Sequence, residues 1–313
     1  MLNFLKPSVI ALLFACLAAQ PALSSVREVE LGGDIIKFTS YLQARYSSAP
    51  SSNDSFTLPR LRIDVWSDPS PNWGYLVEID PTISPAIVYG WIDLKASDRL
   101  KLRIGRFYYP FGLEYTTPPS RFDSILPATV LWEYFGYSRD IGAQVIGGRN
   151  RIKYYLSVVN GRDNEMTEDN DSKDFCGRVT FDLAGMTVGA SHYSGRSGTT
   201  EAERMRTGGE VEFGAGPFTF KGEFISGLDG EVRSQGWYAM PIFDITPVIQ
   251  ALIKCESWDP DVKSPGDHQT IVTPGFNFFL EKDLKLQVNY VIKEEEKDPV
   301  ENNSFLTQIQ IFM

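Results

Sequence analysis

Residues 99–105 read Arg-Leu-Lys-Leu-Arg-Ile-Gly, a charge at every second position with an aliphatic side chain between. An extended strand sends alternate side chains to opposite faces. One face therefore carries Arg99, Lys101 and Arg103, and the other Leu100, Leu102 and Ile104. The pattern recurs. Leu284, Leu286, Val288, Tyr290 and Ile292 interleave with Lys285, Gln287, Asn289 and Lys293, and Phe218, Phe220 and Phe224 interleave with Thr219, Lys221 and Glu223. It predicts strands near 33–46, 56–66, 72–81, 86–96, 99–107, 139–148, 150–160 and 173–183, then 186–195, 205–214, 216–226, 232–243, 246–257, 268–280, 283–293 and 303–313. A soluble sandwich gives a single strand the same look, with its polar face in bulk water. Repetition along nearly the whole chain, with hardly a helical stretch, points instead to an all-β fold. The expected architecture is a transmembrane antiparallel β-barrel of about sixteen strands, apolar toward lipid and polar toward a water-filled lumen.

The connections support that reading. With the N-terminus periplasmic, one set is short and rich in Gly, Pro, Asn and Asp: 67–71, 96–98, 147–150, 183–185, 214–217, 244–246 and 281–283. The other set is generally longer: 47–55, 108–138, 161–172, 196–204, 258–267 and 294–302, with 82–85 and 227–231 as short exceptions. Membrane barrels have short periplasmic turns and longer extracellular loops. Trp73, Tyr75, Phe276 and Phe278 suit interfacial aromatic girdles. At the C-terminus Phe305, Thr307, Ile309, Ile311 and Met313 share one phase and Gln308 and Gln310 the other. Barrels of this kind commonly end on such a strand, usually with a terminal Phe; here Phe312 is penultimate.

Ahead of the first strand, Lys6 precedes an apolar run from Val9 to Ala19, and Ala22-Leu23-Ser24 offers small residues for cleavage near Ser24. The run is shorter than the ~20 apolar residues of a spanning helix. Residues 1–24 therefore read as a signal peptide and 25–313 as one barrel domain; lipoprotein processing at Cys16 is an alternative that Phe14 fits badly. Across 313 residues the hydrophobic content is 42% and the aromatic content 13%. A mean hydropathy of −0.18 excludes a polytopic helical membrane protein. Cys176 falls in the lumenal phase and Cys255 in the lipid-facing phase, so the barrel wall keeps them from a disulfide.

The run Gly105-Arg106-Phe107-Tyr108-Tyr109-Pro110-Phe111-Gly112-Leu113-Glu114 resembles the strand-to-loop junction of the phosphate-selective porin O and P family. That family shows Gly-x-Phe-x-x-Pro-Phe-Gly-x-Glu there, which places its motif on Gly105, Phe107, Pro110, Phe111, Gly112 and Glu114. Supporting echoes are Arg139-Asp140-Ile141-Gly142-Ala143-Gln144, Val159-Asn160-Gly161, Asn170-Asp171-Ser172-Lys173 and the Arg-rich Leu58-Pro59-Arg60-Leu61-Arg62. The resemblance implies a sixteen-stranded, usually trimeric channel in the bacterial outer membrane, with a long third extracellular loop folded into the pore.

A phosphate filter needs several cations around one narrow site, because charge-assisted hydrogen bonds must offset dehydration of the anion. The lumenal phase offers Arg60, Arg62, Lys95, Arg99, Lys101, Arg103, Arg151, Lys153 and Arg178. It also holds Asp64, Glu78, Asp80, Asp93, Asp174, Asp182, Glu210, Glu212, Glu223 and Glu256. The cations thus form either a basic strip or half of a salt-bridged wall. Loop 108–138 carries Glu114, Arg121, Asp123 and Glu133 but no lysine, whereas the family's phosphate specialists rely on lysines in and near that loop. The expectation is a weakly selective pore for small hydrophilic solutes or ions, with a phosphate- or anion-specific pore as the alternative. Pro110, Pro118, Pro119 and Pro127 stiffen the loop, which is expected to fold inward as a constriction, with packing as an extracellular cap as the alternative. Its Glu114, Arg121, Asp123 and Glu133 are expected to face Arg99, Lys101 and Arg103 across an eyelet.

The net charge is −10, with acids gathered at Asp163, Glu165, Glu168, Asp169 and Asp171 and at Glu294, Glu295, Glu296, Asp298 and Glu301. Such a mouth repels anions over about a Debye length and suits divalent bridges to lipopolysaccharide. The run from Asp169 to Asp174 lacks the Gly and distal Glu of a calcium loop. Outer-membrane lipid and lipopolysaccharide are the expected surroundings and a homotrimer the expected assembly, with no cofactor, metal or nucleic-acid partner. Two other classes stay open. His192 and Ser194 share a strand face, as in an outer-membrane phospholipase, but no third, orienting residue accompanies them. A wide barrel would instead serve as a sleeve for a partner protein.

Overall fold

The computed structural model describes residues 26–313 except 51, 137, 165–169, 198–201 and 297–301. The expected signal peptide, and Glu165, Glu168, Asp169, Asp298 and Glu301, lie outside the described residues. The chain forms β1 (Arg27–Leu31), β2 (Asp34–Ala49), β3 (Ser52–Ser70), β4 (Trp73–Ile79), β5 (Ile87–Ser97) and β6 (Leu100–Phe107). After the third loop come β7 (Asp140–Arg149), β8 (Ile152–Val159), β9 (Asp174–Leu183), β10 (Met186–Ser197), β11 (Ala202–Ala215) and β12 (Phe218–Asp229). The last five are β13 (Val232–Thr246), β14 (Ile249–Asp259), β15 (Gln269–Glu281), β16 (Leu284–Glu295) and β17 (Ser304–Phe312).

Each strand from β2 to β17 pairs antiparallel with the next, and β17 returns to β2 with Ile311 opposite Leu42. The result is a closed sixteen-stranded barrel. Closure removes the sheet edges, whose unpaired peptide groups hydrocarbon cannot satisfy. At the seam Met313 N–H donates to Ser40 O at 2.8 Å, and Ser40 N–H to Met313 O at 3.1 Å. The alternation has its expected outcome. Ile92, Leu102, Ile104, Leu156, Val179, Ile253 and Ile309 face outward, while Asp93, Gln144, Ser157, Glu256 and Gln308 of the opposite phase are buried within.

All sixteen expected strands are present, and the differences lie at the seam. Residues 34–38 of β2 run below the end of β17, and β1 folds back to pair with them, Val29 opposite Ile36. Gly32 and Gly33 take φ of 64° and 92° in the turn, a region open to glycine at little cost. The expected loop 47–55 is a continuation of the β2–β3 hairpin, with Ala49 opposite Ser52. The Tyr46 and Phe56 rings pack at 4.9 Å and Tyr46 Oη donates to Asp54 at 2.8 Å, which holds strand geometry where polar composition suggested a loop. A register shift between Gln43 and Arg45 absorbs Leu58 and Pro59, so proline interrupts the ladder at a bulge.

Candidate functional site

The third loop begins where β6 ends. It holds one turn of tight helix, Pro119–Arg121, and a short helix α1, Thr129–Phe135. Its roots are aromatic. Phe135 lies 5.0 Å from Phe111, 4.8 Å from Tyr115 and 5.9 Å from Tyr109, and Tyr109 lies 5.2 Å from Tyr193 on β10. Tyr109 and Phe111 are fully buried. Glu114 Oε2 accepts the Ala128 N–H at 2.6 Å, and Glu256 Oε1 on β14 accepts the Thr129 N–H at 2.6 Å, so two carboxylates satisfy the open start of α1.

Side chains of the inner phase grip the main chain of this loop. Ile125 N–H donates to Asn289 Oδ1 at 2.7 Å, and Lys254 donates to Leu126 O at 2.9 Å. Lys285 reaches the carbonyls of Ser120 and Phe122 at 3.3 and 3.2 Å, and Gln310 reaches Ser120 O at 3.0 Å. Gln287 and Asn277 both donate to Asp123 O at 3.0 Å, and the Asp123 carboxylate pairs with Lys221 at 2.8 Å. These groups belong to β12, β14, β15, β16 and β17. They are tied to one another by amides: Gln287 to Asn277 at 3.0 Å, Gln308 to Gln287 at 3.1 Å and Gln43 to Gln310 at 2.6 Å.

The wall from β3 to β9 is ionic. Asp93 accepts from Lys101 at 2.7 Å and from Arg103 at 2.8 Å, and the Arg103 guanidinium lies 3.8 Å over the Trp91 ring. Arg62 is buried between Glu78 and Asp80, Arg178 forks onto Glu210, and Lys95 pairs with Asp68 at 2.6 Å. Lys153 meets Asp182 at 3.1 Å near the turn, and Arg60 donates to Gln43 at 2.8 Å. Arg99 and Arg151 are exposed in the connections flanking β6 and β8, so they sit at turns and not among the wall pairs. Strand phase alone cannot see where a strand stops.

Between the ionic wall and the loop lies a cavity of about 900 Å³. It brings together Lys101, Arg103 and Arg178 from the wall, Arg121 and Asp123 from the loop, and Lys285 from β16. Glu114, Glu133 and Arg99 do not line it. Glu114 is buried against Ala128, and burial pushes its carboxyl up from the ordinary range against the pull of the Lys254 ammonium. Glu133 is exposed on α1. Arg121 is exposed and Lys285 buried, and neither has a carboxylate within 4.0 Å among the described residues. Lys221, Lys254 and Lys285 are the residues that sequence reasoning left ungrouped. Their inward phase is visible in the alternation, but their approach to the loop is not. His192 is exposed on the outer face with Nδ1 2.9 Å from Thr207 Oγ1, and no triad forms around Ser194 among the described residues. No cluster of potential metal ligands occurs among the described residues.

A closed barrel with an apolar exterior, a charged interior and a long third loop defines an outer-membrane channel. The sequence profile described as "Phosphate-selective porin O and P" matches residues 29–205, and the chain belongs to that family. A comparison with curated proteins finds no match. Among solved structures the chain resembles OmpF of Salmonella typhi in complex with daunomycin, at 10% identity and a TM-score of 0.70, with 92% of this chain and 100% of that one covered. It resembles the trimer form of OmpT of Vibrio cholerae at 10% identity and a TM-score of 0.67, covering 90% and 99%. An anion-selective porin from Comamonas acidovorans matches at 9% identity and a TM-score of 0.67, covering 89% and 99%. The family and these barrels place the protein in the bacterial outer membrane as a channel.

Proposed function

We propose that residues 25–313, freed of a signal peptide at 1–24, form a water-filled and weakly selective channel for passive diffusion of small hydrophilic solutes or ions. Loop 108–138 is its constriction. Lipid and lipopolysaccharide surround it, and three copies assemble, as in the trimer form of the Vibrio OmpT barrel. The observation that carries weak selectivity is the pairing of the wall cations. Lys101 and Arg103 share Asp93, Arg178 holds Glu210, and Arg62 lies between two carboxylates, so little net charge is left to strip water from a passing anion. A second reading, an anion-preferring channel, draws on Arg121 and Lys285, which line the cavity without a carboxylate beside them.

The zero-current potential of the purified protein in a planar bilayer under a KCl gradient, with and without added phosphate, separates the two. The weakly selective reading expects a small potential and no block. Strong anion preference with block by low phosphate would replace it with the second reading. A bilayer that stays silent with folded protein present would remove both.

A further inference from the structure

Glu223 on β12 is a buried carboxylate with no basic side chain within 4.0 Å among the described residues. Its cross-strand neighbours are Glu210, already committed to Arg178, and Tyr238. An unpaired buried carboxylate is costly unless hydrogen bonds satisfy it. Here two come from the loop, both to Oε1, while the buried Oε2 has no partner among the described residues. The consecutive amides of Leu113 and Glu114 both donate to Glu223 Oε1, the latter at 2.8 Å. Gly112 precedes them with φ of 63°, the turn that lets successive N–H groups converge on one anion. A methyl group on Gly112 would stand 3.1 Å from Glu223 Oε2 and 3.2 Å from Oε1. The Gly112 N–H meanwhile donates to Ser191 Oγ at 3.0 Å, and Cys176 Sγ to Pro110 O at 3.4 Å.

We infer that the Pro110-Phe111-Gly112-Leu113-Glu114 run is an amide nest that closes on the Glu223 carboxylate, and that Glu223 is a positioning residue that fixes the start of the third loop. This rests on the loop being the constriction. Four residues of the run then have work in one device. Phe111 is packed into the aromatic root, Gly112 supplies the turn, Leu113 and Glu114 supply the two amides, and the Glu114 carboxylate catches the returning chain at Ala128. The contact joins residues more than a hundred positions apart, so local sequence pattern does not announce it.

Single-channel recording tests the nest. Glu223→Leu removes the acceptor; Glu223→Gln keeps a carbonyl oxygen in its place. Leu is expected to raise conductance at least about twofold with added open-channel noise, because the narrowest section governs ion flow. Gln is expected to restore conductance close to wild type. A merely structural role would lower barrel yield in both and leave the conductance of assembled channels unchanged. If Glu223→Leu does not assemble, Gly112→Ala, which alters the loop and not the wall, carries the test in the same direction. Wild-type conductance and noise in an assembled Glu223→Leu or Gly112→Ala channel overturns the inference. Replacing 113–135 by a short Gly-Ser linker separates the two failures. If the linker raises conductance and Glu223→Leu does not, the nest fails alone. If the linker leaves conductance unchanged, the constriction reading fails.

Discussion

The two inner walls of the barrel solve the same problem with different chemistry. From β3 to β9, inward arginines and lysines are matched to inward carboxylates, and Lys101, Arg103 and Arg178 among them border the cavity. From β12 to β17, inward lysines, glutamines and asparagines hold the main chain of loop 108–138. The first wall meets solvent, where ion pairs present donors and acceptors at little net charge. The second meets peptide groups, which need donors and acceptors at fixed places, and its few charges face a carbonyl, an amide or a paired carboxylate, as in Lys221–Asp123 and Lys254–Glu256. Polarity of an inward position therefore says little about its role. What it faces across the lumen decides.

The contrast breaks most sharply at Arg62, the buried centre of the ionic wall. Arg62→Met strands Glu78 and the fully buried Asp80 without their cation. Removing one member of a buried ionic group costs about 3–5 kcal/mol. Urea titration of the lipid-embedded barrel, read by the mobility difference between folded and unfolded protein on gels, should show a loss of that size. Gln310→Ala on the amide wall removes two neutral hydrogen bonds, to Ser120 O and from Gln43, worth about 1 kcal/mol net each. Equal losses at the two sites would erase the distinction between the walls.

A second test acts on permeation instead of stability. Asp93→Asn keeps the shape of the wall and removes the one negative charge that Lys101 and Arg103 share. Zero-current potentials should move toward anion preference, and Arg103→Glu should move them the other way. Both shifts should shrink as ionic strength rises and the Debye length falls below about 8 Å. Unchanged potentials in both variants would mean that ions do not pass this wall.

The fold was legible because strand phase is a local property. Ile104 out and Arg103 in follow from a period of two, and so do all sixteen barrel strands. β1 was not legible, because its reason to form is the edge of β2 left open below Met313, a consequence of closure. The ionic wall was half legible: its members were visible, and their pairing depends on neighbours one strand away, Asp93 opposite Arg103. The eyelet was misjudged at both ends. Arg99 belongs to a turn, and Glu133 rides the exposed side of α1. Lys285 and Gln287 bond to residues more than 160 positions away, and no sequence period reports such a distance.

The smallest expected effect lies where the loop meets itself, at Glu114. Burial holds its carboxyl above the ordinary range, with the Lys254 ammonium and the Ala128 amide opposing. A carboxyl raised in the folded protein takes up a proton more readily folded than unfolded. Stability from this group therefore increases as pH falls through the raised value and levels off below the unfolded value of about 4.3. The neutral acid keeps a carbonyl oxygen for the Ala128 N–H, so acid should leave this contact in place. Glu114→Gln mimics that neutral form. It should match wild-type conductance at neutral pH and lose only the acid-side gain in stability relative to wild type. Identical pH slopes for the two proteins would mean that Glu114 does not titrate in this contact. A rise in conductance for the Gln variant would mean that its charge, and not its acceptor oxygen, holds the loop.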